Sequence, residues 1–280
     1  MTVAKNSIIE VKDLSVRFAR SAAFGVDGVS FSLRQERLGI VGESGSGKST
    51  TGRAIMRLLP RSTAVKADKL RFDGGDLLGL PETQMRRLRG KEMALIMQDP
   101  RYSLNPVLPI GRQVAEAGRL HLSLSPKEAE NAAHEMLERV RIADVRNVMS
   151  LYPHQISGGM GQRVMISMML LARPKLVIAD EPTSALDVSV RRSVLDLLRE
   201  LTEESQSSLI LISHDIRMVA SFCDRILVMY KGKVVEELSG GLGAAAHPYT
   251  QALIAAMPDP SHPVARLKTI DRAKLAEMTR

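Results

Sequence analysis

The residues best placed to do chemistry are Gly42, Glu43, Ser44, Gly45, Ser46, Gly47, Lys48, Ser49 and Thr50, which form the run GESGSGKST. Its glycines let the backbone curl until several N–H groups face one anion, and a helix start adds partial positive charge. The spacing Gly42-x-x-x-x-Gly47-Lys48-Ser49 fits a phosphate-binding loop, in which Lys48 reaches the outer phosphates and the Ser49 hydroxyl ligates Mg²⁺. A Gly/Ser-rich turn that binds nothing is the bland alternative. Against it stand the short apolar run Arg37–Val41 before the loop and the helix-compatible Ser49–Leu59 after it, ended by Pro60. The run therefore predicts a grip on a nucleoside triphosphate.

Three further groups extend this chemistry. LVIADEP (176–182) ends an apolar run in Asp180 and Glu181. A carboxylate there can hold Mg²⁺, and a second beside it can polarise an attacking water. Alone such a pair is usually a solvated turn; beside a phosphate loop the balance reverses. His214 and Asp215 follow LILIS, again at the carboxyl end of a strand-like run, the edge at which open α/β sheets hold ligands. A lone histidine is more often structural, but this placement favours a γ-phosphate contact. Finally, HQISGGMGQR (154–163) sets Ser157, Gly158 and Gly159 at the head of a helix-compatible run. On its own it reads as a glycine-rich helix cap. As a second anion-ready helix start in one chain, it points to a grip serving another subunit.

These groups need elements to position them. Residues 8–41 alternate short β-like runs with turns, and MALIMQ (93–98), KLVIAD (175–180) and SLILIS (208–213) are strand-like. From 110 to 172 the pattern is helical. Ser125 and Glu128 frame a capping box with Pro126 at the first helical position, and Ala133, Met136, Leu137 and Val140 share a face. A helix is expected over 188–204, and RILVMYKGKVVEE (225–237) reads as a hairpin turning at Lys231 and Gly232. The expected fold is α/β with an inserted helical segment.

Composition narrows the class. The chain has 280 residues and a single cysteine, Cys223, which rules out a disulfide framework or a multi-cysteine cluster. The start MTVAKNSIIEVKD lacks the apolar core of a signal peptide, and Val164–Ala172 is too short to span a bilayer, so a cytosolic chain is expected unless a partner brings it to a membrane. The net charge of +8 invites a nucleic-acid reading, but the basic residues are scattered and aromatics make up only 3%. Stacking platforms for single strands need more aromatics, so no nucleic-acid partner is expected.

Taken in order, the groups resemble the ATP-binding subunits of ABC transporters over residues about 8 to 255. The Walker A loop is 42–50, the glutamine loop is at Gln98, the signature ISGGM is 156–160, Walker B is 176–181, the D-loop SALD is 184–187 and the switch histidine is His214. The resemblance implies a P-loop NTPase core with an N-terminal antiparallel β subdomain and an inserted α-helical subdomain. It assigns 1–240 to the ATPase domain, with the helical part at about 100–172, and 241–280 to a short extension. It further implies ATP and Mg²⁺ as ligands. Glu181 is then the catalytic base, His214 a brace for the γ-phosphate, and Lys48 the phosphate-holding lysine. Ser49, Asp180 and Gln98 organise Mg²⁺ and water. Ser157, Gly158 and Gly159 would face the ATP of a partner. Phe18 sits where the family often stacks an aromatic on adenine, with Phe24 a weaker candidate and a core phenylalanine the equal alternative.

MQDPRYSLNP (97–106), YPHQISGGMGQRVMIS (152–167) and HPYTQAL (247–253) look like the oligopeptide, dipeptide and nickel importer branch. SGGM instead of SGGQ resembles the first of the two ATPase kinds that pair there. This implies a second ATPase subunit in a heterodimer, two membrane permease subunits and a substrate-binding protein, with this chain peripheral on the cytoplasmic face of the plasma (inner) membrane. DPRYSLNP, which joins the core to the helical insert, is the natural contact to the permeases. Peptides are slightly ahead as the cargo by branch frequency, with nickel or a metal chelate open. The tail after HPYT lacks the cysteine cluster of longer peptide-type members, which argues against an iron–sulfur centre and adds modest weight to the nickel type. The competing class is a soluble ABC ATPase without a transport role, which usually duplicates the cassette or inserts a long coiled coil; neither pattern is present.

Overall fold

The structure, a computed structural model, describes residues 7–19, 24–184 and 186–257. The chain forms two compact units, one from the residues up to Leu78 together with those from Ile210 on, the other from Gly79 to Leu209. The first opens with β1 (Ile9–Arg17), β2 (Phe24–Leu33), β3 (Arg37–Val41), α1 (Lys48–Ile55), β4 (Ala64–Lys66), β5 (Lys69–Phe72) and β6 (Gly75–Asp76). The second holds α2 (Glu82–Leu88), β7 (Met93–Ile96), α3 (Ile110–Leu122), α4 (Pro126–Arg139), α5 (Val145–Ser150), α6 (Gly158–Leu170), β8 (Leu176–Asp180) and α7 (Val188–Glu204). On β9 (Ser208–Ser213) the chain passes back to the first unit. Its described residues continue with α8 (Ile216–Phe222), β10 (Arg225–Tyr230), β11 (Lys233–Leu238) and α9 (Pro248–Ala256).

In the first unit the antiparallel order is β2-β1-β5-β6, with β4 also paired to β1. Alternation explains the pairing: Ile9, Val11, Leu14 and Val16 of β1 and Val26, Val29, Phe31 and Leu33 of β2 are buried, while their neighbours face outward. This is the antiparallel β subdomain expected from the sequence. β3 instead pairs parallel with β10, Leu38 opposite Arg225 and Val41 opposite Val228, and both strands are nearly continuously apolar, as strands covered on two faces must be. β10 and β11 form the expected hairpin, turning at Lys231 and Gly232 with φ of 47° and 84°. Two successive positive φ values make the turn that matches strand twist.

In the second unit β7 and β8 pair in parallel, Met93 opposite Leu176 and Ile96 opposite Ala179. The helical insert is present as α3–α6. The capping box of α4 has both bonds, Ser125 N–H to Glu128 Oε2 at 2.9 Å and Glu128 N–H to Ser125 Oγ at 3.4 Å. Ala133, Met136, Leu137 and Val140 are buried along one face, as the periodicity requires. Exposed ion pairs Arg141–Glu200 and Arg139–Glu204 link the end of α4 to α7, and such pairs contribute little. Among the described residues, no helix is long and apolar enough to cross a membrane.

Candidate functional site

In the first unit, β3 delivers Val41 to a loop over residues 42–47, and α1 begins at Lys48 with Gly47 as its cap at φ 103°. Gly42 has φ 152°, and a Cβ there would run into the Met229 carbonyl oxygen, so the strand end of the loop admits only glycine. The loop is clamped from several sides. Lys48 Nζ donates to the carbonyls of Gly42 and Glu43, each at 2.8 Å, and Ser46 N–H donates to the Glu43 carbonyl at 3.2 Å. Gly232 N–H, from the β10–β11 turn, donates to the Ser46 carbonyl at 3.0 Å. Thr51 Oγ1 donates to the Gly47 carbonyl at 3.0 Å.

Lys48 is only 5% exposed. A buried ammonium needs oxygen partners, and the loop's own carbonyls supply two of them. An anion with several oxygens is a stronger acceptor set for the same cation. Ser44 and Gly45 are exposed and Ser49 and Thr50 half-buried, so the loop crest and the helix start are open to a ligand.

Phe18 is half-buried rather than part of the core. A Cβ on Gly25 would lie 2.8 Å from Phe18 Cε2, and one on Gly47 would lie 2.5 Å from the Gly25 carbonyl oxygen. Phe18 therefore rests on the backbone that flanks the phosphate loop, with part of its ring available for stacking. Phe24 is 46% exposed and carries the Arg17 guanidinium 5.9 Å from its ring centre. His214 is exposed immediately after β9. Asp215 caps α8, accepting from Met218 N–H at 3.0 Å.

In the second unit every residue of β8 is buried, and Asp180 at its end is 7% exposed. The next residue, Glu181, has φ 48°, a left-handed conformation that a non-glycine side chain adopts at a cost of about 1–2 kcal/mol. Its carbonyl accepts from Ser184 N–H at 3.3 Å and from Ser184 Oγ at 3.1 Å, which holds that conformation. Strained backbone persists where surrounding structure over-determines it, and it concentrates at functional positions.

Gln98 is exposed between β7 and the turn that starts at Asp99. The Arg101 side chain donates to Asp99 at 2.7 Å and, with the Arg101 backbone N–H, holds the Asp99 carboxyl below its usual range. Ser157 caps α6, its hydroxyl accepting from Met160 N–H at 3.3 Å. A Cβ on Gly158 would meet nothing within 4 Å, whereas one on Gly159 would lie 3.1 Å from Val190 Cγ1. Asp99, Arg101, Pro153, Ile156 and Ser157 line an open cleft of about 620 Å³.

The structure thus sets Phe18 beside residues 42–50 in the first unit, to which His214 also belongs. Gln98, Ser157, Gly158, Gly159, Asp180 and Glu181 fall in the second. Ala185, within the D-loop SALD, and residues 258–280 of the extension lie outside the described residues. Among the described residues, no cluster of three or more His, Cys, Asp or Glu could hold a metal by itself. The donors that the sequence names, a serine hydroxyl in the first unit and a carboxylate and an amide oxygen in the second, are of the hard-oxygen type that suits Mg²⁺ shared with phosphates and water.

One residue that the sequence reading left without a role is Tyr249. It is fully buried at the start of α9, packs at a tilt of 34° against Tyr230 with ring centres 4.3 Å apart, and accepts from Glu43 N–H at 2.9 Å. In the sequence Tyr249 stands within HPYTQAL, where the pattern of His247 and Pro248 places a helix start but does not say what it touches.

The pattern of the ABC transporter family matches residues 26–184. A putative peptide import ATP-binding protein of Brucella melitensis is 45% identical over 94% of this chain and 81% of its own length. The dipeptide transport ATP-binding protein DppD of Escherichia coli is also 45% identical, over 94% of this chain and 82% of its own. Among solved structures, the ATP-binding cassette MJ0796, a dimer in a post-hydrolysis state bound to ADP and Pi, superposes with a TM-score of 0.71 at 25% identity, covering 82% of this chain and 98% of that one.

Proposed function

The chain belongs to the ABC transporter family as an ATP-hydrolysing subunit, and from that premise we propose that it drives import of di- or oligopeptides through a membrane permease. Peptide and dipeptide importers at 45% identity support this cargo over nickel. The partners in this reading are two permease subunits, a substrate-binding protein and a second ATPase subunit in a heterodimer. The chain sits on the cytoplasmic face of the inner membrane. DPRYSLNP, beginning at the exposed turn after Gln98, is its contact with the permeases. The domain division stays at 1–240 with the helical part at about 100–172, followed by the extension 241–280.

The site reading rests most heavily on Lys48, 5% exposed and bonded to two carbonyls of its own loop at 2.8 Å. In the proposed mechanism Lys48 turns to the β- and γ-phosphates, and the loop's backbone N–H groups nearer α1 take the remaining oxygens. Phe18 stacks on the adenine. Glu181 polarises the attacking water, and His214 braces the γ-phosphate. Ser157, Gly158 and Gly159 face the nucleotide of the partner ATPase. Catalysis is then positioning plus stabilisation of charge spread over the transferred phosphoryl group. Mg²⁺, held by Ser49, Asp180 and Gln98, would supply charge neutralisation between the phosphates.

The test is Lys48→Ala in the full chain. Binding of a fluorescent ATP analogue is expected to weaken by about 10- to 100-fold, the loss of charge-assisted bonds worth about 1.5–3 kcal/mol. Unchanged binding would remove the phosphate loop from the site. The cargo is tested separately, by mass spectrometry of the ligand that co-purifies with the cognate binding protein.

A further inference from the structure

Tyr249 stands inside the HPYTQAL run, to which no part in the site is assigned above, yet it makes a direct bond to the phosphate loop. Its hydroxyl accepts from Glu43 N–H at 2.9 Å, while the Glu43 carbonyl accepts from Lys48 Nζ at 2.8 Å. The two faces of one residue therefore tie α9 to the lysine. The ring is held on the other side as well: it is fully buried and packs against Tyr230, which directly follows Met229, the residue whose carbonyl forbids a side chain at Gly42.

The helix that carries Tyr249 is itself anchored. His247 caps α9 through Nδ1, which accepts from Tyr249 N–H at 3.1 Å, and Pro248 fills the first helical position. Glu236 on β11 accepts from Ala246 N–H at 2.6 Å and His247 N–H at 3.0 Å. Each residue from Ala246 to Tyr249 thus contributes to fixing one hydroxyl against one loop amide.

We infer that Tyr249 is a positioning residue for nucleotide binding: its hydroxyl holds the Glu43 peptide in the orientation that aims Lys48 at the phosphates. This rests on the reading of residues 42–50 as the ATP grip. The Glu43 N–H is committed to Tyr249, so phosphate is left to the amides nearer α1. The bond concerns how the loop is shaped before ATP arrives, not the transfer itself. Its loss should therefore raise KM for ATP and leave kcat nearly alone.

The experiment compares Tyr249→Phe, which removes only the hydroxyl, with Tyr230→Phe, which removes a hydroxyl from the same aromatic pair without touching the loop. Both are measured in the assembled transporter for ATP turnover against concentration, and in the full chain for binding of a fluorescent ATP analogue. Tyr249→Phe is expected to raise KM and Kd by about fivefold, the scale of one neutral hydrogen bond, with kcat within about twofold. Tyr230→Phe is expected to leave all three unchanged. Equal KM in the two variants, or a lower kcat at unchanged KM, overturns the inference. Lys48→Ala runs alongside. Weakened binding there with no effect of Tyr249→Phe defeats this inference alone, whereas unaltered binding in Lys48→Ala defeats the loop reading on which it depends.

Discussion

Two helices of the molecule begin with glycine-rich, anion-ready starts, and they are built differently. At the head of α1 the chain closes on itself. Gly42 is forbidden a side chain by Met229, Lys48 is buried among loop carbonyls, and the β10–β11 turn and α9 each donate or accept a bond. At the head of α6 the chain asks for less, with only Gly159 crowded, by Val190. Ser157 caps its own helix, and a Cβ on Gly158 would enter open space. A glycine the fold itself requires marks a grip finished within one chain. Gly158 is a glycine for which this chain's own packing gives no reason, and in the proposed reading the open space beside it is where a partner's nucleotide would sit.

The largest effect expected from this contrast separates grip from chemistry. Glu181→Gln keeps the shape of a strained residue and removes its charge. Turnover in the assembled complex is expected to fall by about 10²–10⁴-fold, the scale of a lost general base. ATP binding at the α1 loop should stay within about twofold. If binding and turnover fell together, the two halves of the site would not be separable in this way.

The two glycines are the direct test. Gly42→Ala sets a Cβ against the Met229 carbonyl at a backbone angle that favours glycine. It is expected to destabilise the chain by about 3 kcal/mol in urea unfolding, on the scale of the larger named single-site defects. Gly158→Ala is expected to shift unfolding by no more than about 0.5 kcal/mol, as for an ordinary surface change. Its effect should appear only on assembly, as a roughly tenfold loss of ATPase activity, equivalent to about 1.4 kcal/mol. Full activity of Gly158→Ala in the complex would mean that nothing approaches α6 there.

The contrast also shows which parts of the molecule were readable beforehand. The strand before the phosphate loop, the start of the helix after it, the capping box of α4, the span of α7 and the turn at Lys231 and Gly232 are local patterns, and the structure has them where the sequence places them. Two features were not readable. The bond between Tyr249 and Glu43 joins residues 206 positions apart, and no periodicity encodes a contact at that distance. The left-handed backbone of Glu181 follows from the turn that Ser184 closes, in a stretch whose residue types read as an ordinary Asp-Glu-Pro turn. Helix starts are legible because their rules are local. What a helix start leans on is a property of packing.

The smallest effect is in acid, and it distinguishes the two helix starts once more. Burial pushes the Glu236 carboxyl up, but the Thr250 hydroxyl and the N–H groups of Ala246 and His247 outweigh it and hold the carboxyl below its ordinary value of 4.5. A carboxylate depressed in the folded state stabilises the fold fully above its unfolded value, and that contribution is lost as pH falls through the lower, folded one. The anchor of α9, and through Tyr249 the Glu43 peptide, should therefore hold at neutral pH and loosen below 4.5. The α6 start has a serine hydroxyl as its cap, which does not titrate in this range. Hydrogen-exchange protection, corrected for the intrinsic rate at each pH, should fall for Glu43 N–H in acid while that of Met160 N–H keeps its neutral-pH level. In Glu236→Gln the acid dependence at Glu43 should vanish, with an overall loss of at most about 1 kcal/mol at neutral pH. Parallel loss at both amides would show that acid acts on the whole fold, and the α1 loop would have no separate tie to α9.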